Sequence, residues 1–141
     1  MLMSRMSNPE GNSGDGLLRI LLGEDVPDRA GAIQRAFRDS ETKAEVEVAG
    51  SLGEFEALAV ARPPDLAILD ANLSGGKALK VLHSPPEAGA FPVLVIAGSG
   101  EERTAAAALQ AGAIDFIVLL PAAYAALPFV VNRVLREWRL R

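Results

Sequence analysis

The sequence predicts a doubly wound α/β domain, with one five-stranded parallel sheet wrapped by five helices. Three observations predict it. Five strand-length stretches are rich in apolar residues, and most of them end in a turn residue or an acid. The stretches between them carry apolar residues at helical spacing. Most of the runs are apolar throughout, as strands covered on both faces require, and parallel strands need right-handed helical crossovers.

The polar start, residues 1–16, is rich in Ser, Asn and Gly and is expected to be a disordered arm; the domain is expected over 17–141. Leu17, Leu18, Ile20, Leu21 and Leu22 form the first strand, which Gly23, Glu24 and Asp25 end. A helix opens near Pro27 and Asp28, with Ile33, Ala36 and Phe37 inward. The second strand, Val46 to Ala49, alternates with Glu45 and Glu47, which marks a sheet edge. Ser51 and Glu54 form a capping box for a helix with Phe55, Leu58 and Ala59 on its stripe, and Pro63-Pro64 end it.

The third strand, Leu66 to Leu69, terminates at Asp70. A loop leads to a short helix around Lys77–His83, broken by Ser84-Pro85-Pro86. Pro92 introduces the fourth strand, Val93 to Ile96, and Gly98 ends it. Ser99 and Glu102 predict a second capping box, and Gly112 a helix stop. Ile114 to Val118 is the fifth strand. The last helix is expected from Leu127-Pro128, with Val130, Val131, Val134, Leu135 and Trp138 on one face.

Composition narrows the function classes. The 141 residues suit one domain, and a net charge of -4 argues against a domain built to grip nucleic acid directly. There is no Cys, so disulfides and thiolate metal sites are excluded. No stretch approaches the roughly 18 consecutive apolar residues of a membrane span, and the start lacks a secretory core. A cytoplasmic location and no membrane contact are expected.

Ligands of parallel α/β sheets collect beyond the carboxyl ends of the strands, where the strand order reverses. Glu24 and Asp25 follow strand one and Asp70 follows strand three. If those strands are neighbours, three carboxylates converge and repel one another, a conflict that a divalent cation resolves. An all-oxygen site suits Mg²⁺, which also binds phosphate, and a carboxylate can attack phosphorus. Taken singly, each acid is equally a turn former or a favourable charge at a helix start.

Four segments carry a resemblance to the response-regulator receiver domains of two-component signalling. Leu21-Leu22-Gly23-Glu24-Asp25 resembles their acid-pair motif, and Asp65 to Leu73 the segment presenting their phosphorylated aspartate. Phe91 to Ile96 resembles their fourth strand, and Ala111 to Ile117 the approach to their fifth. The match spans Leu17 to Arg139. The resemblance implies a flavodoxin-like sheet in the order 2-1-3-4-5. It implies Asp70 as phosphoacceptor, with Mg²⁺ held by Asp25, Asp70 and the Asn72 backbone carbonyl and by Glu24 through water. It implies a histidine kinase or phosphotransfer protein as partner. Such a domain is a phosphoacceptor module rather than a conventional enzyme, and its last helix is expected to continue into a longer regulator or hybrid kinase.

Two positions depart from the family pattern. The hydroxyl residue closing strand four is Ala97, and the Lys near the end of strand five is replaced at Leu119, with Leu120 and Pro121 following. Each lost charge-assisted hydrogen bond is worth roughly 1.5–3 kcal/mol, so phosphoryl stabilisation and its relay to the last helices should weaken. The alternative is a pseudo-receiver acting by protein contact or dimerisation without phosphorylation, through the fourth helix, fifth strand and fifth helix. A homodimer through the last helix region fits either reading. A flavodoxin-like cofactor binder shares the architecture, but this sequence lacks the Ser/Thr/Gly-rich phosphate loop that such a binder needs at strand one.

Phe116 stands where the family carries a switching aromatic, and core packing explains it equally well. His83 reads as a helix-end residue, Gly75-Gly76 as a turn, and Arg133, Arg136, Arg139 and Arg141 as a solvated face.

Overall fold

The computed structural model describes residues 16–73, 82 and 91–140. Nearly all of the N-terminal arm lies outside these residues, as do Gly75-Gly76, His83 and the expected short helix, of which Leu82 alone is described.

The sheet is built from β1 (Leu18–Gly23), β2 (Ala44–Ala49), β3 (Leu66–Asp70), β4 (Val93–Ala97) and β5 (Asp115–Val118). All pairings are parallel, in the order β2-β1-β3-β4-β5, so the expected 2-1-3-4-5 order holds. The described helices are α1 (Pro27–Arg38), α2 (Leu52–Ala61), α3 (Glu102–Ala111) and α4 (Ala123–Arg139). These are four of the five helices expected; the other expected helix lies outside the described residues.

Alternation along the strands divides the core in two. Ile20, Leu22, Ile68, Leu94 and Ile96 face α1 and α4, where Ile33, Phe37, Leu127, Val131 and Val134 meet them. Leu21, Ala67, Leu69, Val93 and Val95 face the other way, onto Phe55 of α2 and Ala108 of α3. Covering both faces is what lets the central strands β3 and β4 be buried along their whole length. Phe116 pairs with Val95 and, half-buried, packs against the second cluster.

The edges differ in character from the centre. β2 carries Glu45 and Glu47 at alternate positions, with Glu45 near Arg19 at 3.9 Å and Arg62 at 3.8 Å. β5 has four residues and opens with Asp115, which pairs with Arg133 at 3.1 Å.

Local signals explain most boundaries. Ser51 Oγ accepts the Glu54 N–H at 3.1 Å, while the Glu54 carboxylate reaches back to the Gly50 N–H at 2.7 Å, one residue earlier than an ideal box. Gly112 ends α3 at φ +131°, a conformation that disfavours any side chain. Two expectations are corrected. The last helix starts at Ala123 rather than Leu127, because Ala123 and its Ala neighbours supply a favourable first turn. Pro128 is inside it and buried, at the cost of the backbone bond to the Tyr124 carbonyl. The Ser99–Glu102 box does not form; α3 has no side-chain cap, since Glu101 turns its carboxylate elsewhere.

Candidate functional site

β1 and β3 are neighbours, and the strand order reverses between them, so their carboxyl ends open one crevice. Glu24 continues the line of β1, its N–H bonded to the Ala49 carbonyl at 2.9 Å. Gly23 before it is in close packing. A Cβ there would stand 2.8 Å from Leu69 Cδ1 and 3.0 Å from both Leu73 Cδ2 and Phe55 Cδ1. Asp70 closes β3, between β1 and β4, and the Ala71 N–H continues the ladder onto the Ile96 carbonyl at 2.9 Å.

The three predicted acids come together. One oxygen from each of Glu24, Asp25 and Asp70 lies within 4.8 Å of the others. Glu24 and Asp70, each 2% exposed, are the buried charged side chains among the described residues, while Asp25 faces solvent. Asp70 Oδ1 accepts the Asn72 N–H at 3.0 Å, and the Leu73 N–H bonds the Asp70 carbonyl at 3.0 Å. These bonds wrap the following turn around the carboxylate. Glu24 Oε2 accepts the Val26 N–H at 3.2 Å, but Oε1 is buried with no hydrogen-bond partner.

The electrostatics follow from that burial. Desolvation, reinforced by the neighbouring Asp70 carboxylate, raises the Glu24 carboxyl from 4.5 to about 7, against the pull of the Val26 N–H and Arg29. Two residues that the sequence reading passed over belong to the site. Arg29, in the first turn of α1, places Nη1 3.7 Å from Glu24 Oε1 and 3.6 Å from Asp70 Oδ2. Burial works against its charge, but Glu24 and Asp70, with Tyr124 of α4, outweigh it and raise its pKa. Glu101 donates nothing and accepts twice, from the Gly98 N–H at 2.6 Å and from the Asn72 side-chain amide. It thereby ties the loop after β4 to the loop after β3. The available signal for Arg29 was its place. A cation opposes the helix dipole in a first turn, so its presence four residues after Asp25 called for an acidic partner.

At the departure positions, Ala97 is fully buried at the end of β4, and its carbonyl accepts the Leu119 N–H at 2.8 Å. Leu119 is 9% exposed and packs with the α1–α4 core.

The sequence pattern of the response regulator receiver domain matches residues 20–118. The nitrogen assimilation regulatory protein NtrX of Azorhizobium caulinodans is 34% identical over 130 residues, covering 86% of this chain and 27% of NtrX. The methanogenesis regulatory protein FilR1 of Methanothrix harundinacea is 29% identical over 137 residues, covering 93% of this chain and 30% of FilR1. The chain thus spans 30% or less of either regulator. The crystal structure of NtrX from Brucella abortus in complex with ADP superposes with a TM-score of 0.76 at 29% identity, over 88% of this chain and 28% of that one. A receiver domain protein from Clostridium thermocellum superposes with a TM-score of 0.73 at 19% identity, over 87% and 98% of the two chains, a likeness of fold.

Proposed function

Because the chain belongs to the response regulator receiver domain family, we propose that residues 17–141 act as a phosphorelay receiver with Asp70 as phosphoacceptor. One observation carries the reading. Asp70 is buried at the end of the central strand, with Oδ1 held by a backbone N–H and Oδ2 3.6 Å from an Arg29 guanidinium nitrogen that also stands 3.7 Å from a buried Glu24 oxygen with no hydrogen-bond partner. A carboxylate fixed in this way is oriented for attack without further ordering. The attacking oxygen forms a bond to phosphorus as the bond from phosphorus to the donor breaks. The electron pair leaves with the donor, the imidazole of a phosphohistidine on a kinase or phosphotransfer protein.

The crevice fits Mg²⁺. Its donors are all oxygens, and the unpartnered Glu24 Oε1 is the kind of buried acceptor that a cation or its bound water satisfies. Asp25, Asp70 and the Asn72 carbonyl would hold the ion, with Glu24 acting through water. When bound, Mg²⁺ supplies charge neutralisation for the phosphoryl oxygens. The remaining assignments are a cytoplasmic location, no direct nucleic-acid or membrane contact, and self-association through α4, where Phe129 is 74% exposed.

A second reading has an observation of its own. Ala97 and Leu119 leave the crevice without the family's hydroxyl and Lys, which favours a pseudo-receiver acting by contact alone. Intact mass after incubation with acetyl phosphate and Mg²⁺ separates the two. One added phosphoryl group, lost in Asp70→Asn, is expected. A folded chain that gains none establishes the pseudo-receiver.

A further inference from the structure

We infer that Arg29 is the phosphate-binding cation of this crevice, taking from the first turn of α1 the position that no residue at the end of β5 fills. The inference builds on Asp70 being the phosphoacceptor. Its ground is placement. Nη1 is 3.6 Å from Asp70 Oδ2, the oxygen left open by the Asn72 N–H, and 3.7 Å from Glu24 Oε1. The other nitrogen, Nη2, points to the β4 end, where a Cβ on Gly98 would meet it at 3.5 Å. The planar group therefore lies across the crevice mouth, touching the territory of three strand ends at once.

The distances show what it is not yet doing. Contacts of 3.6–3.7 Å are longer than hydrogen bonds, and Glu24 Oε1 stays unpartnered beside it. The guanidinium balances charge here without making close directed bonds to either carboxylate. A phosphoryl group on Asp70 Oδ2 would put acceptor oxygens in front of Arg29, the arrangement in which its fork geometry is strongest. The strand-β5 position offers no such donor, since Leu119 is turned into the α1–α4 core. Arg29 also interacts with Tyr124 in the first turn of α4. A guanidinium drawn toward a phosphoryl group would change the field felt at Tyr124 and so reach the last helix by a route independent of Ala97.

The experiment compares the full chain with Arg29→Gln and Arg29→Lys. The rate of acetyl phosphate labelling is followed by intact mass, and Mg²⁺ affinity by calorimetry. Arg29→Gln should label roughly 10- to 100-fold more slowly, the worth of one charge-assisted bond to a phosphate. Its Mg²⁺ affinity should hold or tighten, because a competing positive charge has gone. Arg29→Lys keeps the charge without the fork and should label at an intermediate rate; it decides the matter if the Gln variant does not fold. Labelling of Arg29→Gln within about twofold of wild type overturns the inference alone. So does joint loss of labelling and Mg²⁺ binding, which would make Arg29 a brace for the crevice. A wild-type chain that takes no phosphoryl group overturns both this inference and the phosphoacceptor reading.

Discussion

Replacing Glu24 by Gln should make the metal-free protein more stable above neutral pH, although it removes a charged group from beside Arg29. The Glu24 side chain has no solvent exposure, and its carboxyl is raised from 4.5 to about 7, chiefly by burial. The folded chain thus holds this proton more tightly than the unfolded chain does. The sign follows by linkage: stability is fullest below about pH 4.5 and declines as pH rises toward about 7, where the buried group ionises. At about 1.36 kcal/mol per pH unit, the displacement from 4.5 to about 7 sets the loss at about 3 kcal/mol at most. Gln keeps an acceptor for the Val26 N–H and carries no charge to desolvate. Urea unfolding in chelator, from about pH 5 to about pH 8, should find the two proteins close at the acid end and the variant ahead at the alkaline end. Groups elsewhere titrate alike in both and cancel in the difference. A gap that does not change with pH, or a variant weaker than wild type at about pH 8, refutes the reasoning.

Two further outcomes test the framework around the site. Gly23→Val should cost about 1–3 kcal/mol in urea unfolding and weaken Mg²⁺ binding, since its side chain must displace Leu69, Leu73 and Phe55 beneath the acid pair. Asp65→Ala should cost about 1–2 kcal/mol, read as a lower urea midpoint at unchanged slope, because Asp65 Oδ2 accepts the Arg19 N–H at 2.8 Å and nothing would replace it.

The architecture was legible because the three inner strands β1, β3 and β4 are short, mostly apolar and stopped at Gly23, Asp70 and Gly98, residues with a mechanism for ending them. The acid triad was legible for the same reason, since a parallel sheet forces the ends of β1 and β3 into one place. What escaped reading depends on long side chains that travel. Arg29 reaches the crevice from α1, and Glu101 reaches back from the start of α3 to Gly98 and Asn72. No local pattern announces the reach of Glu101, and Arg29 gives only the hint of a cation in a first helical turn. Glu101 also explains why the Ser99–Glu102 box failed: the carboxylate that satisfies the loop belongs to the neighbouring residue. At Pro128, buried packing in α4 overrode the local rule that proline begins a helix.

The charged margins of the sheet decide how this protein can meet its own kind. A strand offered edge-on by a second copy would set Glu45 and Glu47 of β2 against the same acids, and like charges across a ladder oppose pairing. At the far margin, β5 gives four residues and an acid already engaged by Arg133. Neither border offers a long uncharged template for another chain's backbone. The edge acids oppose growth of the sheet beyond five strands, so any association between copies would have to use the helical faces, where contacts can form and dissolve without rewriting the fold.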